Sequence, residues 1–193
     1  KVFVDLYNNK LIYKDKKLIN WDTQLQTAIS DLEVVQKEVQ SQLYYIDYQL
    51  ENSDTKITIA TTRPETMMGD TAIAVNPKDE RYLNLIGKNV KIPVVNRTIK
   101  IIADRYADPK QGSGAVKITP AHDFNDYEVG KRNKLQIINI FEKDGKINKN
   151  GVKEYVGLDR FEARKLLIKQ LKNDGKLVKI ETIKNKVPYG DRS

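Results

Sequence analysis

Residues 42–60 hold the pattern that most restricts the fold. From Gln42 to Leu50 the chain alternates, with Leu43, Tyr45 and Asp47 on one face and Tyr44, Ile46 and Tyr48 on the other. Glu51-Asn52-Ser53-Asp54 interrupts the run as a turn, and Thr55 to Ala60 alternates again with Ile57 and Ile59 pointing one way. A period of two puts unlike residues on the two faces of a strand, whereas a helix would scatter them around its axis. The second strand then ends in Thr61-Thr62-Arg63-Pro64-Glu65-Thr66, a cluster of hydroxyls with one cation and one carboxylate.

The same reading extends along the chain. Residues 2–9 suit a short helix, and Leu11-Ile12-Tyr13 and Leu18-Ile19-Asn20-Trp21 flank Lys14-Asp15-Lys16-Lys17 as the arms of a hairpin, with Trp21 a packing residue. Asp22 to Asp31 reads as irregular or briefly helical, and Leu32 to Val39 as a further strand. Short strands are expected at 71–75, 90–95, 98–102, 116–119 and 137–141, a short helix from Asn76, a helix over 124–133 and a hairpin turn at Asp144-Gly145. The clearest helix is Asp159 to Asn173, with Phe161, Leu166, Leu167 and Leu171 as its apolar stripe and Gly175 as its stop. Strand-like alternation returns from Leu177 to Val187. Many short strands with few helices predict an α+β fold whose mostly antiparallel sheet curls into a barrel-like body with flanking helices.

Composition narrows the chemistry. The 193 residues contain no Cys and a single His, which removes disulfides, thiolate nucleophiles, Cys-type zinc sites and His-cluster metal sites. Lys plus Arg exceeds Asp plus Glu by 34 − 26 = 8, a net positive charge that favours polyanions such as RNA or simply reflects a lysine-rich proteome. No apolar run approaches a membrane span and the start has no signal-peptide layout, so a cytoplasmic setting is the default. Starting without Met and ending at Ser193, the chain reads as a piece of something longer.

Two stretches carry the candidate chemistry. Thr62 and Glu65 have capping-box spacing, and Pro64 suits a first helical turn, so a helix end could present free amides beside the Thr61 and Thr62 hydroxyls. The same residues could equally be a helix cap, with Arg63 paired to a surface carboxylate. The second stretch runs from Gly112 to Asp126. Gly112-Ser113-Gly114 allows close backbone approach but lacks the Gly-Lys-Ser/Thr of a phosphate-cradling loop, so it is a weak nucleotide signal. Lys117 sits in an apolar strand, facing either out or toward an anionic partner. Asp123 and Asp126 share one face of a helix, where they could hold an ammonium or merely cap it. His122 is either a base or a hydrogen-bonded structural residue.

Together these residues resemble the editing domain inserted in the catalytic core of the class I synthetases for valine, isoleucine and leucine. The resemblance runs through Thr61 to Thr66, Met68-Gly69-Asp70-Thr71-Ala72, Asn76-Pro77 with Asp79 to Tyr82, Gly112 to Thr119, and Ala121-His122-Asp123 with Asn125-Asp126. Asn139-Ile140-Phe141 and Gly157 to Arg164 favour the valyl branch over the isoleucyl and leucyl relatives. Residues 19–33 and 187–193 are similar to the segments leading into and out of the insertion. The implied organisation is a linking segment over 1–50 adjoining the catalytic core, the editing domain over 51–180 and a return linker over 181–193.

The resemblance implies hydrolysis of the ester joining threonine to the terminal adenosine of tRNA(Val), by a positioned water and without a covalent nucleophile. This is the double-sieve pairing for which valine and threonine are a standard illustration. It implies Thr61, Thr62, Lys117 and Asp126 as catalytic, and Arg63, Glu65, Thr66, Gly112, Gly114, His122, Asp123 and Asp126 as substrate-binding. Asp126 would hold the α-ammonium of the threonyl group. Asp123 would help set that site, and Lys117 would lie near the hydroxyl or the terminal ribose. No metal or cofactor is implied for editing; ATP and Mg would belong to the catalytic domain, whose signatures this chain lacks. Where the family has an aromatic before the Gly-Ser-Gly step, this chain has Gln111, which puts adenine stacking there in doubt. The alternatives are a non-catalytic basic tRNA-binding module, the editing domain of the isoleucyl or leucyl relative, or a nucleotide site built on Gly112 to Gly114.

Overall fold

A computed structural model describes residues 1–190 of the chain; residues 191–193 of the expected return linker lie outside the described residues. Helix α1 (Val2–Asn8) opens the chain and is followed by a small hairpin of β1 (Asn20–Asp22) and β2 (Thr27–Ile29). The hairpin expected over 11–21 is therefore displaced. Asp22 Oδ1 accepts the amides of Gln24 and Leu25, closing the turn between β1 and β2. Trp21 is about a third exposed and donates its indole N–H to the Lys143 carbonyl, which ties this hairpin to the main body.

The main sheet is built from β3 (Val34–Leu50), β4 (Lys56–Thr61), β5 (Ala72–Val75), β6 (Asn89–Lys91), β7 (Thr98–Ala103), β8 (Ala115–Ile118) and β9 (Leu177–Gly190). Its order is β4-β3-β6-β7-β5-β8, with β9 also pairing β3; among the described residues only β5 and β7 run parallel. The ends of this path, β4 and β8, lie against each other, so the sheet curls toward a barrel, as the strand pattern predicts. The two strands expected over 32–50 are one. β3 pairs β9 from Val34 to Ile46, and its inner half also pairs β4 and β6. The divisions expected at residues 50 and 180 thus fall at the end of β3 and inside β9.

Alternation translates directly into burial. Tyr44, Ile46, Tyr48 and Leu50 of β3 enter the main core with Ile57 and Ile59 of β4. β5 is covered on both sides: Ile73 and Val75 join the main core, while Ala72 and Ala74 meet Ile118 and Val129 in a second cluster. This accounts for its uninterrupted apolar run. The strand expected at 137–141 is a single Phe141–Ile147 bridge around the Asp144-Gly145 turn, 90–95 shortens to β6, and the helix expected from Asn76 is a turn.

Helix α2 (Phe124–Arg132) is capped by Asp123, and α3 (Arg160–Asn173) by Asp159. Gly175 has φ +63 just past the end of α3, as the stop signal requires. Its stripe is Ala163, Leu167 and Leu171 at four-residue spacing; Phe161 and Leu166 face outward instead. Phe161 is covered by the guanidiniums of Arg160 and Arg164.

Arg164 also explains how α3 is held. Its Nε and Nη2 donate to the two carboxylate oxygens of Glu65, both at 2.7 Å, and Glu65 is fully buried. Removing one partner of such a pair leaves a buried charge, a loss of about 3 kcal/mol or more. Urea unfolding at pH 7.5 is expected to show Arg164→Ala destabilised by about that amount. Adding Glu65→Gln should recover much of the loss, and additive destabilisation in the double variant would contradict this account.

Candidate functional site

The end of β4 and the stretch after β7 meet, as the two halves of one site must. The Cα of Gly112 (φ +55) packs so closely on Ala60 that a Cβ there would lie 2.8 Å from the Ala60 Cβ. Gly114 (φ +82) lies against the Asp79–Arg81 ion pair, where any side chain would collide with the guanidinium. The Tyr82 hydroxyl donates to the Ser113 carbonyl at 2.7 Å and fixes the loop between the two glycines. Across the junction, Arg63 Nη1 donates to the His122 carbonyl at 2.8 Å while its side chain stays 44% exposed.

Residues 64–69 form a 3-10 helix with Arg63 at its N-cap and no side-chain cap, so the capping box expected from Thr62 and Glu65 is not formed. Glu65 is drawn inward by Arg164. Thr61 Oγ1 instead accepts the Arg63 amide at 3.1 Å, and Thr66 Oγ1 donates to the Arg63 carbonyl at 2.9 Å. Hydroxyls thus brace the turn around Arg63, and Thr62 stays half-buried at the strand end.

Lys117 points inward from β8. Its ammonium donates to Thr66 Oγ1 at 2.7 Å, Asp70 Oδ1 at 3.1 Å and Thr119 Oγ1 at 2.5 Å. Asp70 has no exposed surface, and it also accepts the Thr119 hydroxyl at 2.6 Å and the Tyr48 hydroxyl at 2.8 Å. Burial pushes the Asp70 carboxyl up, while Lys117 and the hydroxyl donors pull it back. Arg97 braces the same turn, donating Nη2 to the Met68 and Asp70 carbonyls, each at 2.9 Å.

Beyond Thr119 the chain turns into α2. Asp123 is exposed, and its Oδ1 caps the helix by accepting the amides of Asn125 and Asp126. Asp126 is 6% exposed and its Oδ2 accepts the Thr119 amide at 2.9 Å. Burial raises its carboxyl to about 7, against the pull of Lys117 and the Thr119 amide and with a further push from Asp123 and Asp70. Tyr106 is raised to about 12, first by burial and then by Asp126 and Asp123. It is an aromatic beside the carboxylates that the sequence gives no periodic reason to single out.

His122 has a different role from a base. Its Nε2 accepts the Ile140 amide at 3.0 Å, and its ring stands edge-on to Phe141 with centroids 4.7 Å apart. Burial, with Arg63 and Lys117 nearby, lowers it to about 3, so the ring is neutral and holds the 138–141 segment. Among the described residues, no group of three or more His, Asp or Glu side chains is arranged to hold a metal ion. Nor is any helix long and apolar enough to cross a membrane.

Sequence reasoning passed over Asp70, Thr119 and Arg164. Asp70 carried a usable signal, since a carboxylate immediately before the buried run of β5 needs an internal partner. Arg164 carried none, because Glu65 lies 99 residues away.

The geometry can be set beside known proteins. The model for tRNA synthetases class I (I, L, M and V) matches residues 1–185. The chain is 69% identical over its whole length to the valine--tRNA ligase of Pelagibacter ubique and 54% identical to that of Lactococcus lactis, spanning 22% of each. Among solved structures, it is similar to GlLeuRS-CP1, with a TM-score of 0.58 and 14% identity over 72% of this chain and 99% of that one. It is also similar to the LeuRS of Agrobacterium radiobacter K84 in its ternary complex with tRNA and LeuAMS, with a TM-score of 0.56 and 19% identity over 96% of this chain and 31% of that one. These two likenesses concern the fold. The family match over residues 1–185 places the chain among the class I tRNA synthetases of the I, L, M and V group.

Proposed function

We propose that this chain is the editing domain of a valine-tRNA ligase and hydrolyses the ester of threonyl-tRNA(Val), within a cytoplasmic enzyme that joins valine to tRNA(Val) with ATP. The observation that carries the reading is Asp126, a buried carboxyl with one oxygen held by the Thr119 amide, at the junction of the two stretches that belong to the family. A partly protonated carboxyl in a buried site gains most from an incoming cation, because the ammonium replaces missing solvation. The α-ammonium of the threonyl group is that cation, and the 3′ end of the tRNA would be delivered by the rest of the synthetase.

In this reading, water adds to the ester carbonyl carbon, the bond to the ribose oxygen breaks, and that oxygen takes the proton. The products are free threonine and tRNA with its terminal hydroxyl restored. Rate enhancement comes from positioning: Asp126 and Asp123 orient the amino acid, while Thr61, Thr62 and Arg63 surround the ester and terminal adenosine. The half-exposed Arg63 guanidinium, whose Nε lies 3.8 Å from Glu65 Oε1, supplies the positive charge that a developing oxyanion would meet. Lys117 acts from below, through Thr66, Asp70 and Thr119. No metal or cofactor takes part in this scheme. ATP and Mg would serve synthesis in the rest of the ligase.

Single-turnover deacylation of threonyl-tRNA(Val) by this chain tests the reading. Asp126→Ala is expected to slow ester cleavage roughly 100-fold; equal rates for variant and wild type would remove Asp126 from its role. A second prediction concerns stability. The folded value of Asp126, about 7, lies above its ordinary 3.8, so its favourable contribution is complete below pH 4 and is lost as pH rises through 7. Asp126→Asn should therefore gain stability over wild type as pH increases from 4 to 8. A constant difference in urea midpoints across that range would contradict the buried ionisation.

A further inference from the structure

We propose that Asp70, a residue outside the candidate set, is a positioning residue for Asp126 and acts on it through Lys117 and Thr119. The geometry is a continuous buried chain. Asp70 accepts from both the Lys117 ammonium and the Thr119 hydroxyl, Lys117 also donates to that hydroxyl, and the Thr119 amide donates to Asp126. All four residues are less than a tenth exposed. The three hydrogens of the Lys117 ammonium are distributed over Thr66, Asp70 and Thr119, so Asp70 and two hydroxyls fix both its position and its charge.

The consequence is electrostatic as well as steric. Lys117 favours the ionised form of Asp126, while Asp123 from α2 and Asp70 from the turn before β5 oppose it, and Tyr106 lies against the same carboxylates. With Asp70 present, the cation beneath Asp126 is largely compensated, and Asp126 stays poised between its two protonation states. Without Asp70, Lys117 would face Asp126 as its nearest counter-charge and hold it ionised. Thr119 gives the steric half: Asp70 and Lys117 both grip its side chain, and its backbone amide then sets where the Asp126 carboxylate sits.

The inference rests on the deacylase reading for its functional meaning, and the test separates the two. Carboxyl-carbon NMR titration of this chain, with the Asp126 signal assigned by its loss in Asp126→Asn, reads the charge state directly. In Asp70→Asn the Asp126 midpoint should fall by about one pH unit or more, and in Lys117→Gln it should rise. The opposite signs cannot come from general loosening, and if Asp70→Asn fails to fold, the double variant Asp70→Asn/Lys117→Gln, which removes the whole ion pair, should return the Asp126 midpoint close to that of the wild type, whereas a midpoint as high as in Lys117→Gln would overturn the compensation. A midpoint unmoved, or moved in the same direction in both variants, overturns the proposal. Where the wild type deacylates threonyl-tRNA(Val), the acid limb of the rate profile should shift to lower pH in Asp70→Asn, together with the NMR midpoint. A wild type with no deacylation would defeat the function while leaving the NMR outcome to judge Asp70.

Discussion

The buried contact between Asp70 and Lys117 is the constraint around which the site is assembled. A lysine on a strand inside a curled sheet loses its hydration, and that loss is offset only when a carboxylate and further acceptors replace water on every N–H. Here the replacements come from different places in the chain: Thr66 lies within the 3-10 helix and Asp70 at its C-terminal end, Thr119 follows β8, and Tyr48 on β3 completes Asp70. One internal ion pair therefore joins β3, the turn after β4 and the strand that leads to Asp126. The same residues would be an expensive way to fill a core, since apolar side chains of similar volume would often hold it as well. Their presence is more readily understood as fixing one arrangement of the turn.

A second ion pair secures that turn from the other side. Glu65 and Arg164 lock α3 onto the 3-10 helix, and the aliphatic stripe of Ala163, Leu167 and Leu171 buries the same helix face. The sheet alone would leave residues 64–69 covered on one side. With α3 above and Lys117 below, the turn presents Thr62 and Arg63 at the surface and hides everything after Pro64. The site's rigidity thus depends on a helix that contributes no candidate catalytic group.

Strand pattern was legible in the sequence wherever one face is buried. Tyr44, Ile46, Tyr48, Ile57 and Ile59 all lie in the core that their alternation indicates. Legibility failed where hydrogen bonding decides locally, as at Asp22, whose side chain builds the β1–β2 turn, and in α3, where Phe161 and Leu166 look apolar enough for the stripe but are exposed. The candidate residues follow the same division. Close spacing brought Asp123 and Asp126 to one helix end, yet nothing local says that Glu65 pairs with Arg164 rather than capping its own turn. Long-range ion pairs leave no periodic trace, and the family resemblance indicates which residues matter without indicating which of them touch.

This division bears on what the candidate carboxylates can do. Asp123 and Asp126 are three residues apart on one short helix, yet the first is solvated and the second is buried and raised to about 7. Spacing makes them equivalent; burial and the hydrogen bond from the Thr119 amide make them different. A solvated carboxylate caps α2 at little energetic expense, whereas a buried one is a strain on folding that grows as the pH rises from about 4 to about 7. Helix capping accounts for the hydrogen bonds of Asp123 but leaves Asp126 unexplained, since one hydrogen bond to the Thr119 amide could be made equally well by asparagine. The ionisable group is justified only if its charge is used, and a cationic substrate group is the simplest partner that would use it.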